Sequence, residues 1–199
     1  AAPATEPRRR RRHTLHMLHQ EAKSPSGEYT ISWPNPTHAL ADASPVNVSV
    51  RKGDKVAWQD QVLHPGHCLV TNDGAAMIVT HAIRDFRSGV RLYDPYGDLL
   101  MSIDFRPGIP EFGLTRDHRF AWCAISPSKG KTMTRGRIML FGVPDCDRVV
   151  AFPDIRNTHG ELRGRIRDIR LSDFHATLHI EGGLEATCDF RGNIVTENV

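Results

Sequence analysis

Long apolar runs are missing from this 199-residue chain. No stretch approaches the roughly 20 apolar residues that a helix needs to span a bilayer, so a transmembrane helix is excluded. Closely paired cysteines are missing too. Cys68, Cys123, Cys146 and Cys188 are widely spaced, with no C-x-x-C pair, which argues against a disulfide framework. Three of them fall inside apolar alternating runs, where a reduced cysteine behaves as a small hydrophobe. Reduced thiols point to the cytoplasm, with secretion as the alternative, because Ala1-Ala-Pro-Ala suits a processed N-terminus. Helical periodicity is nearly absent. So are the nucleophile elbow, the phosphate loop and the zinc-hydrolase helix, which removes the sequence signatures of the commonest hydrolases and nucleotide-binding enzymes.

Positive charge is present but concentrated. Taking the five consecutive arginines Arg8, Arg9, Arg10, Arg11 and Arg12 from the 26 Lys and Arg leaves 21, against 23 Asp and Glu. The body of the chain is therefore slightly acidic, and the excess basicity lies in one arm. Adjacent guanidinium groups repel one another, and the flank from Ala1 to Pro7 has no large apolar residue to anchor it. Residues 1–12 are expected to form a disordered tail. Hydrophobic content of 39% in the whole chain is that of a globular protein, and places the core in residues 13–199.

That remainder repeats itself. Residues 90–100, VRLYDPYGDLL, alternate like a strand, turn at Tyr-Gly-Asp and alternate again. The same grammar occurs at 46–58 around Gly53, at 137–152 around Asp145 and at 184–195 around Gly192. These turn positions are 44, 48 and 47 residues apart. Gly beside Asp or Asn between two alternating runs is a strong hairpin signal. A second element precedes each hairpin. Segments starting at Ser24, Thr71, Thr115 and Ser172 pass through a polar turn into an apolar strand. Each unit thus holds about four short strands, with units at 13–62, 63–106, 107–154 and 155–199. Four-stranded units at this period predict an all-β fold, a β-propeller or propeller fragment of about four blades of four antiparallel strands. A generic sandwich with turns at chance spacing is the competing reading.

The second unit carries a closer likeness. Gly66-His67 opens it, Cys68–Gly74 supplies strand and turn, Ala75–Thr80 a strand, Asp85 a loop, and Tyr93-Asp94 closes a third strand. Over residues 66–105 this resembles a WD-repeat blade of the β-propeller superfamily, with Tyr-Asp in place of Trp-Asp. The resemblance implies a structural tetrad of His67, Thr80, Asp85 and Tyr93 around a buried imidazole. The other three units lack these residues.

Chemistry-bearing clusters are sparse. His13, His16 and His19 do not converge on a helix or on a strand, and His64, His67 and Cys68 have no partner pair at metal-ligand spacing. Most carboxylates sit at turns. No catalytic, cofactor-binding or metal-binding residue is assigned, and no cofactor is expected. Basic clusters are more informative. The loops after the second strand of units two and three carry Arg84, Arg87, Lys129, Lys131 and Arg135. Residues 162–168, LRGRIRD, place Arg163, Arg165 and Arg167 at period two, on one side if extended. These side chains and the arm form the candidate surface for an anionic partner. A solvated charged edge is the bland alternative.

The expected function is a non-catalytic interaction module that binds another protein, or a second copy of itself, through its loop face. A nucleic-acid-associated protein using the arm and basic loops is the second reading. Aromatics that stack bases are scarce near those clusters, which disfavours sequence-specific RNA recognition. A propeller lyase or hydrolase is the third, and it rests on fold analogy alone.

Overall fold

The computed structural model describes residues 19–34, 45–82, 87–106, 108–127, 136–157, 159 and 162–198. Among them, sixteen strands form four separate sheets. Each sheet has four antiparallel strands in chain order. The first contains β1 (His19–Lys23), β2 (Tyr29–Pro34), β3 (Val46–Lys52) and β4 (Lys55–Val62). The second contains β5 (Pro65–Val70), β6 (Ala76–Ala82), β7 (Arg87–Tyr93) and β8 (Leu99–Phe105). The third contains β9 (Glu111–Leu114), β10 (Phe120–Ile125), β11 (Arg137–Gly142) and β12 (Val149–Pro153), followed by a 3₁₀ turn at Ile155–Asn157. The fourth contains β13 (Ile166–Leu171), β14 (His175–Ile180), β15 (Glu185–Asp189) and β16 (Ile194–Asn198). A two-sheet sandwich is ruled out by this partition.

Burial shows how the sheets stack. Side chains alternate across a strand, so a sheet covered on both faces must be apolar at successive positions. Strand β10 is buried at all six residues. Its Ala121, Cys123 and Ile125 pack with Met77, Val79 and Val90 of the second sheet. Its Phe120, Trp122 and Ala124 pack instead with Ile169 and Leu178 of the fourth. The second sheet divides in the same way, since Ala76, Ile78 and Tyr93 join Ile31, Val50 and Trp58 of the first. Three apolar layers therefore glue four sheets in sequence. The first strands lie on one side of the stack, β1 near β5 and β9 near β13.

The terminal sheets are apolar on one face only. In β14, buried Ala176, Leu178 and Ile180 alternate with partly exposed His175, Thr177 and His179. The Thr177 and Thr187 hydroxyls meet at 2.9 Å on that outer face. In the first sheet the Ser32 and Ser49 hydroxyls meet at the same distance across β2 and β3. The middle sheets place apolar pairs such as Val79 and Val90 at their centres.

Antiparallel order puts the first and third turns of every sheet at one rim. The first turns repeat a single device, a hydroxyl that binds the chain across the turn. Ser24 Oγ accepts from the Tyr29 amide, Thr115 Oγ1 from the Phe120 amide, and Ser172 Oγ from the His175 amide. Thr71 Oγ1 instead donates to the Ala75 carbonyl. Ser24, Thr71 and Thr115 are almost fully buried. The third turns of the second and fourth sheets share a second device. Asp94 Oδ1 accepts from the amides of Tyr96 and Asp98, and Asp189 Oδ1 from those of Arg191 and Asn193. Gly97 and Gly192 take positive φ in these turns, 91° and 88°, which an L side chain resists.

Candidate interaction rim and its cationic groove

Hydrogen bonds between sheets hold the rim in place. The Ser26 amide donates to Asn72 Oδ1 at 2.7 Å, and the Asn72 side-chain amide approaches His118 Nδ1 at 3.5 Å. Each step spans 46 residues, one repeat. The Trp58 indole donates to the Gly74 carbonyl at 3.0 Å, and the Arg116 amide to Asp168 Oδ1 at 2.9 Å. The first turns of sheets one to three are thus linked in sequence, and that of the third is anchored on strand β13 of the fourth.

A groove of about 430 Å³ opens where the third sheet's first turn meets the fourth sheet. Arg116 and His118 line it from the turn, and Arg167, Asp168, Arg170 and His179 from β13 and β14. Arg116 and Arg170 also wall a second depression, which reaches Leu171. All three guanidinium side chains belong to exposed residues. Arg167 pairs with Glu181. Arg170 Nε lies a loose 3.9 Å from Asp168 Oδ2, while Asp168 Oδ1 is held by the Arg116 and Ile169 amides. Among the described residues the Arg116 guanidinium has no carboxylate within salt-bridge distance. On the floor, His179 Nδ1 contacts Glu185 Oε1 at 2.6 Å, and its Nε2 is buried with no hydrogen-bond partner.

The turn beside the groove is electrostatically stiffened. Burial works to raise the Asp117 pKa, but the Thr115 hydroxyl and the Arg119 amide outweigh it and hold the carboxyl below its ordinary value. Behind the groove, the Arg156 guanidinium makes a double contact with Asp154, and its Nη1 donates to Glu111 at 2.9 Å and to the Gly164 carbonyl. Glu111 Oε2 also accepts from the Ile166 amide. Burial disfavours the Arg156 charge, yet the two carboxylates raise its pKa. This network fastens β9 to the start of β13.

The sequence-predicted residues are distributed as follows. Arg8–Arg12, Arg84, Asp85, Lys129, Lys131 and Arg135 lie outside the described residues, and for Arg87 only its place at the start of β7 is described. Arg163, Arg165 and Arg167 are exposed but do not form one row. Strand β13 begins only at Ile166, because Gly164 bends the chain with a φ of 138°. Arg163 borders the Arg156 network, and Arg167 borders the groove.

The three described members of the tetrad, His67, Thr80 and Tyr93, do not come together around a buried imidazole. His67 is exposed and tilts against Phe112 of the third sheet, whereas Tyr93 is buried and stacks on Trp58 of the first. A register shift between Pro65 and His67 accompanies this divergence. Thr80 faces Gly89 across β6 and β7. The Tyr93 hydroxyl donates instead to Asp60 of the neighbouring sheet at 2.8 Å, and burial, then Asp60, push its pKa up to about 12.

Sequence reasoning did not find Arg116, Arg170, His179 or the Arg156 network. Arg116 lies within a turn that was recognised, but no periodicity links it to residues 54 and more positions away. Its singular feature is a cation in one of four otherwise similar turns.

No protein-family model matches the chain, and no curated protein matches it. Solved structures do. HIRA(644-1017) is similar with a TM-score of 0.59 at 10% identity, over 90% of this chain and 53% of that one. A eukaryotic initiation factor gives 0.46 at 12% identity, over 90% and 43%. The β-propeller domain of the Trilobed protease from Pyrococcus furiosus gives 0.37 at 10% identity, over 88% and 69%. The chain spans about half the length of HIRA(644-1017), and at these identities the likeness concerns fold alone. Four stacked sheets of four antiparallel strands, with their first strands on one side, have the architecture of β-propeller blades.

Proposed function

We propose that this chain is a non-catalytic β-propeller interaction module that binds another protein through its rim of turns. One observation carries the reading. Tyr96 and Phe174 are the most exposed of the large hydrophobic residues described, at 84% and 74%. Both sit in turns of the rim that bears the Arg116 groove. Exposed aromatics and arginines on one rim have the composition of protein-binding hot spots. Because both turns are already fixed by their own hydrogen bonds, the Tyr96 and Asp98 amides to Asp94 and the His175 amide to Ser172, binding costs little ordering entropy.

The test uses the full chain. Proteins captured by the wild type are purified, and each complex is rebuilt and measured by calorimetry. Tyr96→Ala and Phe174→Ala should each weaken a reconstituted complex, with thermal stability nearly unchanged because both rings are exposed. Unaltered affinity in both variants would overturn the rim assignment. The nucleic-acid reading has its own signature, affinity for a single-stranded oligonucleotide that falls steeply with salt and flattens when residues 1–12 are deleted. That result, without a protein complex, would replace the proposal.

A further inference from the structure

We infer that the groove where the third blade's first turn meets the outer face of the fourth blade receives a phosphate monoester, presented as a phosphorylated side chain of the partner. This rests on the protein-binding reading of the rim. Arg116, Arg167 and Arg170 line one groove, with Asp168 as its single lining carboxylate. With Arg167 already paired to Glu181, the Arg116 guanidinium is the one left without a counter-ion among the described residues. Asp168 is an incomplete counter-charge, because one of its oxygens is engaged by two backbone amides. The planar donor fork of arginine matches the oxygens of a phosphate, and a dianion gains most from several such forks.

His179 separates phosphate from carboxylate. With Nδ1 turned to Glu185, the ring has only Nε2 left to satisfy, and that atom is buried without a partner. Buried polar atoms in native proteins are almost always paired. This orphan, on a residue that lines the groove though the atom itself is shut off from solvent, therefore marks a bond that a ligand completes once the ring turns to face it. A carboxylate satisfies Nε2 only when the ring is protonated. A phosphate monoester does so in either state: its dianion accepts from the imidazolium, and its monoanion donates a P–OH to the neutral ring. A nucleic-acid phosphodiester has neither the second charge nor that hydroxyl. The monoester therefore fits better than acidic peptide or nucleic acid.

Phosphoserine, inorganic phosphate, dimethyl phosphate and acetate are titrated into the full chain, and the His179 ring nitrogens and arginine Nε signals are followed by NMR. Phosphoserine and inorganic phosphate should shift them saturably. Arg116→Gln and Arg170→Gln should each weaken that binding about tenfold, the loss of one charged hydrogen-bond set, while the remaining spectrum stays unchanged. Equal, unsaturated shifts with all four anions, or full affinity in both variants, would overturn the inference. Saturable phosphate binding by a chain whose Tyr96 and Phe174 variants keep full partner affinity would sustain the groove and sink the rim reading. The converse would sink only the groove.

Discussion

Gly53, Gly97 and Gly192 fill the same hairpin position but do not meet the same neighbours. All three have positive φ, so a β-branched replacement costs about 1–2 kcal/mol in backbone strain. At Gly97 a new Cβ would also come within 2.7 Å of the Trp58 side chain, and at Gly192 within 2.9 Å of Pro153. At Gly53 it would enter open space. Urea midpoints should therefore fall modestly for Gly53→Val and further for Gly97→Val and Gly192→Val. Equal losses at all three would mean that the two turns do not bear on the preceding sheet. Tyr93 supplies a second residue-scale expectation. Tyr93→Phe removes the hydroxyl and its hydrogen bond to Asp60, about 1 kcal/mol, whereas Asp60→Ala leaves that hydroxyl without its acceptor and should cost more. The turn glycines were legible because positive φ restricts the choice of residue. Asp60 was not, because the contact joins positions 33 apart and its only local sign is a carboxylate inside an alternating strand.

Within the elements, the first turn of the third blade depends on a carboxylate. The Asp117 pKa is depressed in the folded state, so its contribution is present above the ordinary carboxylate range and is lost as pH falls through the depressed value. Asp117→Asn should lower Tm at neutral pH, and the gap from wild type should close below about pH 4. A gap that persists to low pH would show that shape, not charge, holds the turn. The Arg156 network is the stronger fastening. Arg156→Ala leaves Asp154 and Glu111 facing each other without their cation, and removal of one member of such a buried set costs about 3–5 kcal/mol. Circular dichroism melts would check it, and a loss under about 1 kcal/mol would place the network in solvent. Strand and turn elements were readable from alternation and from the Ser or Thr that opens each unit. The network was not, since Glu111, Asp154 and Arg156 look like ordinary turn and edge residues until β9 and β13 are brought together.

For the molecule as a whole, the four-stranded period was the legible part, because each blade must satisfy the same alternation and the same two turns. The groove was not legible, because it belongs to a junction between blades. Cysteine reactivity reports on that stacking. Burial raises the Cys68 thiol pKa, and pushes that of Cys123 up to about 12 and that of Cys188 up to about 11. Cys146 is only half-buried. A thiol reagent at neutral pH should modify Cys146 first and the other three only after opening, as peptide mapping of a time course would show. The polar outer faces of the first and fourth sheets then acquire a dynamic meaning. A middle blade cannot separate without breaking apolar layers on both sides, whereas an end blade breaks one. Opening should therefore run inward from the ends, as in linear repeat arrays, with local free energies rising toward the middle. Cys188, in the last blade, should exchange its thiol before Cys123 in the third. Among the four described sheets, the two that carry the outer hydroxyl pairs should therefore be the first to open.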